Sequence, residues 1–132
     1  MIDAPNIQSL IDRIQQRDYR VAVVGLGYVG LPLALAFLKR GFAVIGVDVD
    51  DAKVSALKEG RSYLQHIDTS PLRDAQKANR FEATSDFAKL ATADAVLLCV
   101  PTPLDEHQSP DMSYVVTTTE AVLPTLRRDQ LI

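Results

Sequence analysis

The spacing of apolar residues changes several times along the chain, and each change marks an element. Ile7, Leu10, Ile11 and Ile14 recur at three- and four-residue intervals, which predicts an amphipathic helix before the first strand. Residues 19–24 are β-rich and end at Gly25, so they read as strand one. Leu31, Leu33, Ala34, Leu35, Phe37 and Leu38 give an apolar body to a helix over 27–40. Pro32 fits only in a first helical turn, which places the start near Tyr28 or Val29, and Gly41 supplies the stop. Residues 43–47 form strand two, running into Asp48. Short helices are expected over 51–59, ended by Gly60, and over 71–78, where Ser70 before Pro71 is a start signal. Residues 81–84 make a weak third strand, and Ser85-Asp86 caps a helix through Ala91. Residues 95–100 form a continuous apolar run, typical of a strand buried on both faces. Residues 101–111 hold three of the seven prolines and read as loop. Residues 112–126 are expected to be helical, with Val115, Val116 and Val122 facing inward, and 130–132 resemble the start of a fifth strand.

Short strands alternating with helices argue for βαβ units and a parallel sheet. The expected fold is α/β: a Rossmann-type doubly wound parallel sheet of order 3-2-1-4-5, truncated at the fifth strand. Residues 1–18 are expected to be an N-terminal helical extension, and residues 19–132 an incomplete domain of this fold.

The chemistry begins at Gly25-Leu-Gly27-Tyr-Val-Gly30, a G-x-G-x-x-G string directly after a strand and opening a helix. Gly25 permits the tight turn, Gly27 lets a pyrophosphate approach the backbone, and Gly30 lets the helix pack on the sheet. The free amides and positive dipole end of the helix suit phosphates. Strand two ends at Asp48, placed to accept hydrogen bonds from an adenosine ribose and to repel a 2′-phosphate. No Arg follows Asp48 within five positions, which favours NAD over NADP. Lys53 is the nearest cation and is a candidate cofactor contact, the bland alternative being a solvated side chain.

Composition supports this reading. The 132 residues fit one domain, and 47% hydrophobic with 23% charged residues is the balance of a soluble globular chain. The net charge of −3 gives no reason to expect nucleic acid or an anionic membrane as partner. No apolar run approaches the roughly 20 residues of a membrane helix, and residues 1–18 lack a signal-peptide core. Cys99 is the only cysteine, so no intrachain disulfide forms, and a reduced, cytoplasmic setting is expected.

The longer string Gly25-Leu-Gly-Tyr-Val-Gly-Leu-Pro32 resembles the UDP-glucose/UDP-N-acetylhexosamine 6-dehydrogenase family. Cys99-Val-Pro-Thr-Pro103 and Pro110-Asp-Met-Ser-Tyr114 match it too. Gly60-Arg-Ser-Tyr-Leu-Gln-His-Ile67 looks most like the UDP-N-acetylglucosamine branch, and the acid-Pro-Gly stretch common in the UDP-glucose branch is absent. The resemblance implies that Tyr28 and Val29 meet the NAD pyrophosphate through backbone groups. It also implies that Asp48 holds the ribose and that Thr102 lies beside the cofactor. It further implies a UDP-sugar substrate and two NAD-dependent oxidations of its C6 alcohol, in polysaccharide biosynthesis. UDP-N-acetylglucosamine is favoured, with UDP-glucose and UDP-N-acetylmannosamine as alternatives.

The family's cysteine nucleophile, and its assisting lysine, asparagine and aspartate, lie beyond residue 132. No catalytic residue is therefore expected here, and the chain alone is expected to be inactive. The family's long helix after this domain implies a homodimer when full-length. A different class, a non-catalytic dinucleotide-sensing module, is compatible with the same fold.

Other reactive residues receive bland readings. Cys99 lies in an apolar run, where a thiol acts as a small hydrophobe. His66 and His107 have no partners at metal-ligand spacing, so no metal is expected. His66 is assigned to a substrate-side loop by the branch resemblance only. His107 with Asp105 and Glu106 reads as a solvated loop. Arg127-Arg128 reads as a helix-end charge pair rather than a nucleic-acid patch.

Overall fold

The computed structural model describes residues 7–132. Its centre is a four-stranded parallel sheet in the order β3-β2-β1-β4. The strands are β1 (Arg20–Val24), β2 (Ala43–Val47), β3 (Phe81–Thr84) and β4 (Ala95–Leu98). The helices are α1 (Ile7–Gln15), α2 (Gly30–Lys39), α3 (Asp51–Lys58), α4 (Ser70–Lys77) and α5 (Ser113–Val122). Leu131 continues the predicted order by pairing with Ala95 in an isolated parallel bridge outside β4. The first six residues of the predicted N-terminal extension lie outside the described residues.

Side chains alternate across each strand, so the sheet has two apolar faces. Val21 and Val23 point to one face and pack with Leu31, Leu35 and Leu38 of α2, Leu57 of α3 and Leu72 of α4. Ala22 and Val24 point to the other, against Ile45, Val47, Leu90, Val96 and Val122 of α5. This is the doubly wound arrangement predicted. Leu26, Leu31, Leu57, Leu72 and Leu90 are all fully buried, each contributing about 2 kcal/mol of hydrophobic stabilisation.

Several boundaries differ from prediction for physical reasons. α2 starts at Gly30 rather than residue 27, because 27–29 form the turn that feeds it. Pro32 falls in the first turn, as it must, and the first bonds run from Leu31 to Gly27 and from Leu33 to Val29, both 3.1 Å. Residues 87–92 form a 3₁₀ helix rather than an α-helix, capped by the Asp86 carboxylate on Ala88 N–H at 2.9 Å. β4 ends at Leu98, two residues short of the predicted run, and Leu97 and Leu98 are half-buried. Among the described residues only Leu131 pairs beyond β4, at its first residue, so the later ones lack a neighbour on that side.

α5 ends at Val122, and residues 123–125 tighten into a 3₁₀ turn where Pro124 has no N–H to donate. Val122 is buried and Val115 half-buried, but Val116 is 54% exposed and does not face inward. One residue is a 100° rotation on a helix, so adjacent valines cannot share a narrow buried face.

α1 forms as predicted, yet only Leu10 of its apolar stripe packs on the core, and Ile7, Ile11 and Ile14 stay exposed. It is held mainly by cations. The Arg17 guanidinium donates to Arg40 O at 2.8 Å and lies 4.9 Å from the Phe42 ring centroid. Arg13 forks onto the buried Asp94 at 3.0 and 3.3 Å. Asp94 also accepts from Arg20 N–H at 2.8 Å and from Arg127 at 3.0 Å. Arg127 is therefore more than a helix-end charge: with Arg13 it ties both ends of the described chain to the start of β4. Burial pushes the Asp94 carboxyl up, but the Arg20 amide and the two guanidiniums outweigh it and hold it below the usual carboxylate value.

Candidate functional site

The glycine turn sits at the carboxyl end of the sheet, between β1 and β4. Gly25 adopts φ +93°, and a Cβ there would stand 2.7 Å from Cys99 O, so the position excludes any side chain twice over. A Cβ on Gly30 would stand 1.7 Å from Gly25 O. Its role is thus to let α2 close on the turn itself, with the Cys99 β-carbon behind. Gly27 differs: a Cβ there would meet nothing within 4 Å. The space in front of it is open, as a pyrophosphate would require. The amides of Tyr28, Val29 and Gly30 precede the first helical bond and have no intrahelical acceptor. Tyr28 and Val29 are both largely exposed at the rim.

Leu26, between the two glycines, is anchored at three points. Its side chain is buried beneath Gly46, where a Cβ would meet it at 3.0 Å. Its N–H donates to Asp48 Oδ2 at 2.8 Å. Its carbonyl accepts from the Tyr63 hydroxyl. Asp48 is only 8% exposed, and its other oxygen accepts from Asp50 N–H at 2.9 Å. Lys53 on α3 places Nζ 3.9 Å from Asp48 Oδ2 and 5.7 Å from the Tyr63 ring centroid. Asp50 caps α3 by accepting from Ala52 N–H at 2.9 Å, which fixes the turn that carries Lys53. Burial, then Asp48 and Asp50, push the Tyr63 hydroxyl well above the usual tyrosine range, so it remains a donor.

The turn, Asp48 and Lys53 border a cleft of about 720 Å³, with Leu26 and Tyr63 behind its wall, inside the range of roughly 300–1,000 Å³ usual for ligand sites. Gly25, Gly27, Tyr28, Val29, Asp48 and Lys53 line it, opposite Phe87, Pro101, Tyr114 and Thr118. Gly30 acts from behind. Thr102 lies exposed in the loop one residue past Pro101 and does not line the cleft. Tyr63, Phe87, Tyr114 and Thr118 were not legible as site residues. Tyr114 and Thr118 are four apart on α5 and so share a face, a signal indistinguishable from packing in sequence.

Cys99 is half-buried and burial pushes its thiol up, against a nucleophilic role. His66 and His107 are exposed, and no group of three or more candidate metal ligands occurs among the described residues. No described helix is long and apolar enough to cross a membrane. A second cavity, of about 600 Å³, lies between α2 and β4 with Ile14, Phe37, Leu97 and Leu131 in its wall. Its lining offers nothing suited to a phosphate.

A glycine turn with open approach, orphan helix-start amides and an anchored acid at the end of β2 together define a dinucleotide-binding α/β domain. Residues 19–132 match the UDP-glucose/GDP-mannose dehydrogenase family, NAD binding domain, and the chain belongs to this family. It is 34% identical to the UDP-N-acetyl-D-glucosamine 6-dehydrogenase of Pseudomonas aeruginosa, over 88% of this chain and 26% of that protein. It is 37% identical to the NDP-N-acetyl-D-galactosaminuronic acid dehydrogenase of Ralstonia nicotianae, over 92% of this chain and 29% of that one. The fold superposes on a GDP-mannose dehydrogenase of Pseudomonas aeruginosa, solved as a ternary complex, with a TM-score of 0.78. That match has 31% identity and covers 83% of this chain and 26% of the other. The chain thus spans little more than a quarter of these relatives. NAD is the cofactor of this family's N-terminal domain, and the open approach at Gly27 fits it.

Proposed function

We propose that this chain holds NAD across the carboxyl end of its sheet, as the cofactor domain of a nucleotide-sugar 6-dehydrogenase. The amides of Tyr28 and Val29 take the pyrophosphate, and Asp48 with Lys53 takes the adenosine ribose. Thr102, in the loop after β4 and next to the cleft-lining Pro101, is put near the cofactor by the family resemblance alone. The observation that carries this reading is the contrast among the glycines: Gly25 and Gly30 are closed by protein, whereas Gly27 faces empty space. A 2′-phosphate beside the Asp48 carboxylate is disfavoured by like-charge repulsion, which selects NAD over NADP.

Bound NAD supplies hydride acceptance for two successive oxidations of a sugar C6 alcohol to the carboxylate. This chain's part is to bind and orient; the groups that act on C6 belong to the remainder of the protein. The substrate is a UDP-N-acetylhexosamine, UDP-N-acetylglucosamine before its mannosamine epimer. Support comes from the segment Gly60–Ile67 and from the N-acetylhexosamine relatives. The full-length protein works as a cytoplasmic homodimer.

Calorimetric titration of the chain with NAD, and with NADP as control, tests the binding claim. NAD bound well above NADP is the expected result; equal binding would remove the role given to Asp48. NADH formation by the full-length protein with each UDP-sugar then ranks the substrates, and faster oxidation of UDP-glucose would overturn the N-acetylhexosamine assignment.

A further inference from the structure

The reach of Tyr63 into the glycine turn has no counterpart in the fingerprint. Tyr63 belongs to the loop between α3 and α4, 37 residues from Leu26 in sequence, yet its hydroxyl donates to the Leu26 carbonyl. That carbonyl belongs to the Leu26–Gly27 peptide. In a trans peptide the C=O and the N–H point in opposite directions across one rigid plane. Holding Leu26 O toward Tyr63 therefore aims Gly27 N–H away from it. Gly27 N–H has no acceptor among the described residues, and Gly27 lines the cleft beside open space. The preceding plane is held from its other side, by Asp48 on Leu26 N–H at 2.8 Å. Two side chains from different loops thus fix both peptide planes of Leu26.

We propose that Tyr63 is a positioning residue of the nucleotide site, whose hydroxyl fixes the Leu26–Gly27 peptide so that the glycine turn meets the pyrophosphate preorganised. It touches the ligand only through that peptide. Preorganisation matters because a glycine-flanked peptide is otherwise free to rotate, and ordering it on binding weakens affinity. The ring acts separately from the hydroxyl, since Lys53 rests over it at the adenosine end of the cleft. The two can therefore be distinguished experimentally. This proposal rests on the reading of the cleft as a NAD site.

The test is Tyr63→Phe, which deletes the hydroxyl and keeps the ring. Binding of NAD, ADP-ribose and adenosine is measured for both proteins, with the Gly27 amide resonance followed by ¹⁵N–¹H NMR. A thermal melt checks that the variant is folded. The expected result is a shifted Gly27 resonance and roughly three- to tenfold weaker NAD and ADP-ribose binding, the worth of one hydrogen bond, with adenosine binding unchanged. Wild-type affinity for NAD, or an unmoved Gly27 resonance, overturns the proposal. Equal weakening for adenosine also overturns it, because the hydroxyl would then serve the loop as a whole. Tyr63→Leu, which removes the ring as well, is expected to weaken adenosine too. A wild-type protein that binds neither NAD nor ADP-ribose overturns the nucleotide reading itself, a result distinct from the others.

Discussion

Three glycines in one short string make opposite demands, and substitution separates them. Gly30→Ala forces a β-carbon into Gly25 O and is expected to cost about 3 kcal/mol or more, seen as a lower urea midpoint. Gly27→Val meets open space, so the melting temperature without ligand should barely move while calorimetric binding of NAD disappears. A variant that still bound NAD normally would remove the loop from the site. Asp48→Asn replaces an acceptor of two backbone amides by a group that is half donor. It should weaken NAD and narrow the NAD:NADP ratio, and an unchanged ratio in parallel titrations would count against the ribose role. The glycines and Asp48 were legible because their spacing encodes a local shape. Tyr63 was not, since its partner is a main-chain carbonyl far away in sequence, and no residue pattern marks a carbonyl.

Elements were readable where burial is two-sided or one-striped, as in β1, β2 and α2. Legibility failed where competing backbone geometries differ by one hydrogen bond, as in the 3₁₀ segment at 87–92, or where a stripe gives its width but not its phase, as at Val116. α1 shows a third case: its apolar stripe predicted the helix but not its attachment, which runs through Arg13 and Arg17. Arg13→Ala should release α1 from Asp94 while leaving the sheet intact, raising hydrogen exchange in residues 7–15 only. The Asp94 carboxyl has a lowered value in the folded chain, so its stabilisation is present above the ordinary carboxylate value near ~3.9 and is lost as pH falls through the folded value. Urea unfolding at neutral and acid pH should therefore show Asp94→Asn costing stability at pH 7, with the gap from wild type closing in acid.

At the scale of the molecule the parallel strands all point from the Asp94 cluster toward the cleft, so fastening and binding occupy opposite ends of the sheet. Strand order was legible because a doubly wound chain has few alternatives once the glycine turn is placed on β1. The proposed sugar rests on the resemblance carried by residues 60–67 and on the relatives, not on the geometry of the cleft. If NAD binds only the folded chain, its midpoint of heat denaturation should climb with NAD concentration. Ligand at a hundredfold its Kd would add about 2.7 kcal/mol, and NADP should do far less. Cys99 offers a different use of the same architecture. It is the only thiol in the sequence, it stands between the cleft and the second cavity, packed on the α2 side of the sheet, and its backbone braces Gly25. The protein therefore carries its own chemical stopwatch: alkylation of that sulfur by a maleimide should slow when NAD ties down the glycine turn that the Cys99 backbone braces, reporting occupancy without any engineered label.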